Sequence, residues 1–242
     1  MRKVFLTIIA IILFGSAFIG CGDDDKGTGS VTPSGIYAEM YIQRMVNTSG
    51  WGPIEQDVLL VYLDSAYSTD GNRNPIDSAG ISCGDYGLSW SDRNQFFFGP
   101  SRCVDCSFIE PGGTYTYSIG ENQYVPALTQ SITFPAELAY LYYPRWNDTI
   151  QINDGIEVIW HDSGTGTVEI SLWHDGVEVY QSEVPNDGQQ RIPRSVLQTL
   201  PTGDYYLSLI QYRRQSIHAI GYDPRSFIEA NVTTTNRILL QP

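Results

Sequence analysis

The chain has 242 residues, of which 42% are hydrophobic, and its formal net charge of −13 comes from 27 acidic and 14 basic residues. A chain of this length forms one large hydrophobic core or two small ones. Phosphate backbones and anionic membrane surfaces attract clustered Lys and Arg, so this charge argues against nucleic acid and anionic lipid headgroups as partners. Gly and Pro together make 36 residues, and long stretches with a helical period are missing, which favours an all-β fold.

The N-terminus has the parts of an export signal. Met1-Arg2-Lys3 is a short positive segment, and the apolar run Val4–Phe14 is too short to span a bilayer comfortably as a permanent anchor. The following Phe18-Ile19-Gly20-Cys21 resembles the lipobox of bacterial lipoproteins, with Phe where the family prefers Leu. The resemblance implies that residues 1–20 are a signal peptide and that Cys21 begins the mature chain and carries acyl chains, which anchor it to a membrane. An ordinary secretory signal peptide with a chance cysteine is the alternative.

Residues 21–34 are predicted to form an extended acidic tether. They have no apolar periodicity, and a chain of this length reaches on the order of 20 Å. Acidic runs such as Asp23–Asp25, directly after a lipidated cysteine, are similar to signals that send some lipoproteins to the outer face of the outer membrane; a plain solvated linker is the alternative. Loss of Arg2 and Lys3 with the signal peptide leaves 12 basic against 27 acidic residues. The anionic protein would therefore be repelled by the anionic surface of the membrane to which it is anchored. The predicted location is the bacterial cell envelope, lipid-anchored in the outer membrane and facing the periplasm or the exterior.

The first half of the folded part is predicted to consist of short strands. Ile36–Gln43 alternates apolar and polar residues with period two, which indicates a half-buried strand, and Asp57–Leu63 is a more continuous apolar strand. Five further strands are predicted at Ile76–Cys83, Tyr86–Trp90, Gln95–Phe98, Thr114–Ile119 and Leu128–Phe134. Turn signals at intervals of about 8–12 residues are typical of a β-sandwich.

The second half has clearer strand signals. Alternating strands are predicted at Gly155–Trp160, Val168–Trp173 and Val177–Tyr180, and the last two are joined by His174-Asp175-Gly176. Asp-Gly between alternating strands predicts a hairpin, because both central residues of a type I′ turn need positive φ. A helical turn at Ser195–Leu200, a strand at Asp204–Tyr212 and a closing strand within Phe227–Leu240 complete the predicted elements.

Two stretches of the chain share one pattern. Pro111–Ile119 reads PGGTYTYSI and Pro201–Leu209 reads PTGDYYLSL. Each resembles the tyrosine corner of immunoglobulin-like and fibronectin type III domains, where a Tyr entering strand F returns its hydroxyl to the backbone upstream. The resemblance implies this role for Tyr115 and Tyr205, and it puts Ile156–Trp160 in strand B of the second domain. The predicted architecture is therefore two tandem immunoglobulin-like β-sandwich domains, at residues 35–130 and 131–242.

Three thiols remain once Cys21 is acylated: Cys83, Cys103 and Cys106. An odd number in an oxidising compartment predicts one disulfide and one spare thiol, or an intermolecular bridge. The favoured interpretation is a bond from Cys83 to Cys103 or to Cys106. A redox Cys-x-x-Cys pair at Cys103 and Cys106 would need a helix N-terminus, whereas the surrounding sequence is β-rich, and a zinc site lacks a nearby histidine.

The sequence predicts no enzyme. It has no G-x-S-x-G elbow, no H-E-x-x-H and no phosphate-binding glycine loop. The Trp-His-Asp triplets at 160–162 and 173–175 would lie at opposite ends of a strand, roughly 20 Å apart, which is too far for them to share a metal ion. We therefore expect no catalytic residue, no metal and no cofactor.

Two functions fit these features. The first is a non-enzymatic, lipid-anchored cell-envelope protein that binds a protein partner or acts as a spacer. The second is a surface glycan-binding lipoprotein, in which exposed aromatic rings stack on sugars; Trp51, Trp90 and Trp146 are the candidates. The competing explanation of these rings is that they fill small cores or the seam between the domains.

Overall fold

A computed structural model describes residues 35–49, 52–65, 75–99, 108–161 and 166–242. Residues 1–34, which include the predicted signal peptide, Cys21 and the tether, lie outside the described residues, as do Trp51, Cys103 and Cys106. In the described ranges almost all of the regular secondary structure is strand, and the one helix is the short α1 (Arg194–Leu197), so the prediction of an all-β fold is confirmed. No helix in these ranges is long and apolar enough to cross a membrane.

The strands form one large sheet and two small ones. The first half of the chain supplies β1 (Tyr37–Ser49), β2 (Gly52–Asp64), β3 (Ile81–Cys83), β4 (Tyr86–Gly87), β5 (Ser89–Ser91), β6 (Phe96–Gly99), β7 (Thr114–Ile119) and β8 (Leu128–Thr133). The second half supplies β9 (Leu141–Tyr143), β10 (Asp148–Gln151), β11 (Ile156–Trp160), β12 (Thr167–His174), β13 (Val177–Pro185), β14 (Gln189–Ile192), β15 (Gly203–Ser216) and β16 (Phe227–Gln241). The large sheet has the order β13-β12-β15-β16-β1-β2-β6-β5, with β10 also against β16, and the small sheets are β14-β11-β9 and β4-β3-β7-β8.

Two hydrophobic cores lie between these sheets. The first contains Met40 and Val61 from the large sheet and Tyr117 and Ile132 from the four-stranded sheet. The second contains side chains of the large sheet and of the three-stranded sheet, including Val158 on β11. Each core is thus enclosed by two packed sheets, which is the arrangement of a β-sandwich.

Strand β16 belongs to both cores. Its residues Ile228, Ala230 and Val232 pack in the first core, and Ile238 and Leu240 pack in the second. The proposed division of the chain at residues 130 and 131 stays a prediction, but a cut there would remove β16 from the first core. The two sandwiches are therefore joined by a continuous strand.

The second sandwich has the strand order of an immunoglobulin-like fold. In chain order, β9, β11 and β14 correspond to strands A, B and E of one sheet, and β12, β13, β15 and β16 correspond to C, C′, F and G of the other. The central position of β11 confirms the assignment of Ile156–Trp160 to strand B, and Tyr205 lies at the start of strand F as predicted.

Both predicted tyrosine corners are confirmed by hydrogen bonds. The Tyr205 hydroxyl donates to the carbonyl of Pro201, at 2.8 Å. The Tyr115 hydroxyl accepts the backbone N–H of Glu110 and donates to the carbonyl of Phe108. The glycine in each motif has a local reason, because a Cβ on Gly113 would meet the Tyr115 ring at 3.1 Å and Gly203 has a φ of +145°.

The hairpin prediction is also confirmed. Strands β12 and β13 pair in antiparallel register, and the two turn residues Asp175 and Gly176 have φ values of 49° and 79°. Positive φ at both central positions is what a type I′ turn requires.

Three strand predictions differ from the structure. Of the predicted strand Ile76–Cys83, only Ile81–Cys83 is a strand. The predicted strand Tyr86–Trp90 is two strands, because the chain passes at Leu88 from the four-stranded sheet to the large sheet. The expectation that β1 is half-buried is wrong, since Glu39, Tyr41 and Gln43 are buried as well as the core-facing side chains. Tyr41 packs edge-on against the Tyr62 and Phe227 rings from neighbouring strands, so large side chains shield this face.

A buried ion pair fixes the loop before the first tyrosine corner. Arg44 donates to both carboxylate oxygens of Asp57, at 2.8 and 3.0 Å, and it also donates to the carbonyl of Ile109. Asp57 in turn accepts the backbone N–H of Ile109 at 2.7 Å. These bonds pair both charges inside the protein and hold Ile109 against the first core.

Candidate functional site

The outer face of the large sheet, on the side away from the two cores, is polar along β16. On β16 the residues Glu229, Asn231, Thr233 and Thr235 point to this face, because they alternate with the core residues. All four are buried, although none belongs to a hydrophobic core. Polar side chains that are buried in a strand need hydrogen-bond partners, so this row of residues is a candidate binding site.

Strand pairing builds a pocket on this face. Glu229 is paired with Arg214 and Asn231 with Tyr212 on β15, and Ile210 of β15 is paired with Glu169 on β12. The pocket is lined by Glu169, Ile210, Tyr212, Arg214, Glu229, Asn231 and Thr233. Its floor consists of buried polar residues, and its rim consists of the half-buried Ile210 and Tyr212 and the exposed Arg214.

Arg214 is committed to one carboxylate of the pocket. Its Nη2 and Nε atoms lie 2.6 and 2.8 Å from Oε2 of Glu229, and its guanidinium lies 4.3 Å from the centre of the Phe227 ring. Burial lowers the pKa of Arg214, but the charge and the hydrogen bond of Glu229 outweigh burial, so that the pKa is raised. Arg214 thus forms its direct ion pair with Glu229 and acts on the second carboxylate, that of Glu169, only through its charge at longer range.

Two buried acceptor atoms of the pocket have no hydrogen-bond partner among the described residues. They are Oε1 of Glu169, a residue that is 6% exposed, and Oδ1 of Asn231, which is 1% exposed. The Asn231 amide is oriented by its own donor, because Nδ2 donates to Oε1 of Glu229 at 2.9 Å. A buried acceptor without a donor costs about 1–3 kcal/mol, so these atoms favour a ligand that supplies hydrogen-bond donors.

Two carboxyl groups at or near the pocket have raised pKa values. Burial raises the pKa of Glu169, and the charges of Glu229 and Glu183 add to the increase, while a hydrogen bond from Gln181 and the charge of Arg214 oppose it. Burial, with a contribution from Glu169, raises the pKa of Glu178 on the neighbouring strand to about 7. Both shifts have the sign expected where negative charge is shielded from water without a matching cation.

The tryptophans predicted to stack on glycans do not share a surface. Trp90, on β5, packs against the first core, and its indole N–H donates to Asp92 at 2.8 Å. Trp146 is half-buried in the turn before β10, and the next residue, Asn147, bonds to Arg237 on β16. Pairing across the sheet aligns Trp90 with Ile228, nine residues before Arg237, so about 30 Å of strand separates the two rings. Their role in glycan binding stays a prediction, as does that of Trp51, which lies outside the described residues.

The predicted cysteine roles are only partly located. Cys83 is buried in the first core, and burial raises the pKa of its thiol to about 12. Cys103 and Cys106 lie outside the described residues, so the predicted pairing of Cys83 with one of them stays a prediction. Lipidation of Cys21 stays a prediction for the same reason.

No group of three or more His, Cys, Asp or Glu residues suited to a metal ion occurs in the described ranges. The two Trp-His pairs are in different environments. Trp160 is buried in the second core, where its indole N–H donates to Asn186 at 2.7 Å. His174 stacks on the Tyr205 ring, with the centroids 4.5 Å apart, and its Nδ1 lies 2.9 Å from the carbonyl of Asp204.

The pocket is the feature that sequence reasoning missed. The segment Glu229–Thr233 reads EANVT, in which polar residues alternate with the apolar Ala230 and Val232. That alternation predicts a polar face, but only the pairing of β16 with β15 and β12 brings Glu169 to it.

Comparison with known proteins gives little further information. No protein-family model matches the chain, and no curated protein matches it. Among solved structures, the titin domains Z1Z2 in complex with telethonin are similar at 11% identity and a TM-score of 0.24, covering 87% of this chain and 98% of that chain. A chimeric titin Z1Z2-Z1Z2 tandem carrying a fibronectin-derived GRGDS peptide is similar at 13% identity and a TM-score of 0.22, covering 85% of this chain and 97% of that chain. Both scores are too low to support an argument, so the immunoglobulin-like description of the second sandwich rests on its strand order.

Proposed function

We propose that this protein is a non-enzymatic, lipid-anchored protein of the bacterial cell envelope that acts as a binding or spacer module. The observation that carries the proposal is the direction of β1 and β16, which run parallel through the large sheet. Gly35 precedes β1 and lies beside Gly221 and Tyr222, at the end of the first sandwich where β16 begins. The second core packs on the other end of β16.

This geometry separates the attachment point from the second sandwich. A strand of 15 residues such as β16 extends for about 50 Å. If a membrane anchor at Cys21 continues through the tether to Gly35, the far end of the second sandwich is held on the order of 50 Å beyond that point. The net charge of −13 supports this role, since an anionic body is repelled from an anionic membrane surface.

The anchor is tested by a cysteine substitution in bacteria that make lipoproteins. We expect the wild-type chain to fractionate with membranes and to incorporate a labelled fatty acid, and Cys21→Ala to lose the label and leave the membrane fraction. Cys83→Ala is the matched control, because Cys83 is buried in the first core and should not affect acylation. Membrane-bound, labelled Cys21→Ala protein would overturn the proposed anchor.

A further inference from the structure

The outer-face pocket presents unsatisfied acceptors and an unbalanced negative charge. Glu169 Oε1 and Asn231 Oδ1 have no donor among the described residues, and both residues line the pocket. We propose that this pocket binds an ammonium group, from a free alkylamine or from a lysine side chain of a partner protein. The inference deepens the proposed function, because it gives the binding module a specific ligand chemistry.

The two acceptors lie diagonally across β15. Glu169 on β12 is aligned through Ile210 with Thr233 on β16, and Asn231 lies two residues before Thr233, so their backbones are about 12 Å apart. Both residues line the same pocket, so one small group that enters it lies between the two side chains.

An ammonium group fits these atoms better than a neutral sugar. It carries three donors and no acceptor, whereas a hydroxyl brings an acceptor that would face further acceptors. An ammonium group also brings a positive charge next to the Glu169 carboxylate, because Arg214 forms its ion pair with Glu229.

Other ions fit less well. An anion would meet the carboxylates of Glu169 and Glu229, and the guanidinium that should receive it is already engaged. A divalent metal needs several oxygen ligands, and the described residues contain no group of three acidic or metal-binding side chains that would hold one. Among these ligand classes, a monovalent cation with N–H donors, such as an ammonium group, fits the pocket best.

The proposal is tested by calorimetric titration of the full chain in detergent at low salt. The probes are cadaverine, its permethylated analogue 1,5-bis(trimethylammonio)pentane, glucose and Nα-acetyl-lysine methylamide. We expect cadaverine to bind and the permethylated analogue to bind at least about tenfold more weakly, because it has the same two charges but no N–H donor. Binding of the lysine derivative as tightly as cadaverine would assign the ligand to a protein side chain, and preference for cadaverine would assign it to a free amine.

Three variants locate the binding. Glu169→Gln keeps the shape and should weaken cadaverine about tenfold or more, whereas Glu121→Gln, which removes an equal charge from an exposed loop, should leave it unchanged. Ile210→Lys, at the half-buried rim, should abolish binding by putting a tethered ammonium in the pocket, and it serves as an independent variant if Glu169→Gln unfolds.

Two results would overturn the inference. One is no binding of any amine by the wild type at about 10 mM; the other is equal binding by wild type, Glu169→Gln and Ile210→Lys, which would mean nonspecific attraction to the acidic chain. Tighter binding of glucose than of cadaverine would contradict the inference and would favour glycan binding by this pocket. None of these results bears on membrane fractionation of Cys21→Ala, so failure of this inference and failure of the anchor are separable.

Discussion

At the scale of single residues, each unusual side chain has a specific partner or a specific cost. The Tyr115 and Tyr205 hydroxyls are satisfied by backbone groups a few residues upstream, which makes them part of the fold and removes them from the candidate ligands. Arg44 and Asp57 satisfy each other inside the protein. Glu169 and Glu178 differ, because each has a buried oxygen without a partner among the described residues. The effect of these buried carboxyl groups on the free energy of unfolding can therefore be measured as a function of pH.

Glu178 should make the protein less stable as pH rises. Burial raises its pKa from 4.5 to about 7 in the folded state, so between these values the folded chain holds a proton that the unfolded chain has lost. Stability contributed by this group is present below about pH 4.5, falls as pH rises to about 7, and is constant above. Glu178→Gln should therefore raise the free energy of unfolding at pH 8 by about 1 kcal/mol after allowance for solvent screening, and change it little at pH 4.

Thermal unfolding at pH 4, 6 and 8 measures this effect. The shift at pH 8 should be about 2–4 °C. Glu121→Gln is the control, since its side chain is exposed in a loop. An equal shift of Glu178→Gln at pH 4 and pH 8 would show that the carboxyl titrates in the same range in both states.

At the scale of elements, the sequence predicts those turns and strands whose formation depends on residues close to one another in the chain. The Asp175-Gly176 turn, strand B at Ile156–Trp160 and both tyrosine corners follow from residues within a few positions of each other. The split of Tyr86–Trp90 between two sheets was not predictable in this way, because Leu88 changes sheet only through contact with the first core. The pocket was missed for the same reason, since its carboxylates come from strands paired over long sequence separations.

The β12–β13 hairpin allows the turn chemistry to be tested alone. Gly176 has a φ of +79°, and a Cβ there would meet nothing within 4 Å, so Gly176→Ala adds backbone strain without a steric clash. We expect a loss of about 1–2 kcal/mol in the free energy of unfolding, measured by denaturant titration. Gly80→Ala is the matched control, because that position is equally open and is not in the left-handed region. A loss no larger than that of Gly80→Ala would contradict the type I′ assignment.

At the scale of the whole molecule, the two sandwiches share one strand. Strand β16 packs in both cores, and its neighbour β15 pairs with it over its whole length. Repeated sequence patterns in the two halves predict two domains, and sequence periodicity carries no information on which core a long strand enters. Damage to one core should therefore be transmitted to the other through the shared strands, which independent domains would not do.

Ile132→Ala tests this coupling. Ile132 lies on β8, in the first core only, and its truncation should cost about 2–5 kcal/mol. If the strands shared by the cores make unfolding cooperative, hydrogen exchange should show the slowest amides of β11, in the second core, losing the same opening free energy as those of β7. Val158→Ala on β11 is the reciprocal variant and should lower protection in β7 and β8. Unchanged protection of β11 in Ile132→Ala would mean that β16 separates from the first core without disturbing the second, and that the two sandwiches unfold independently.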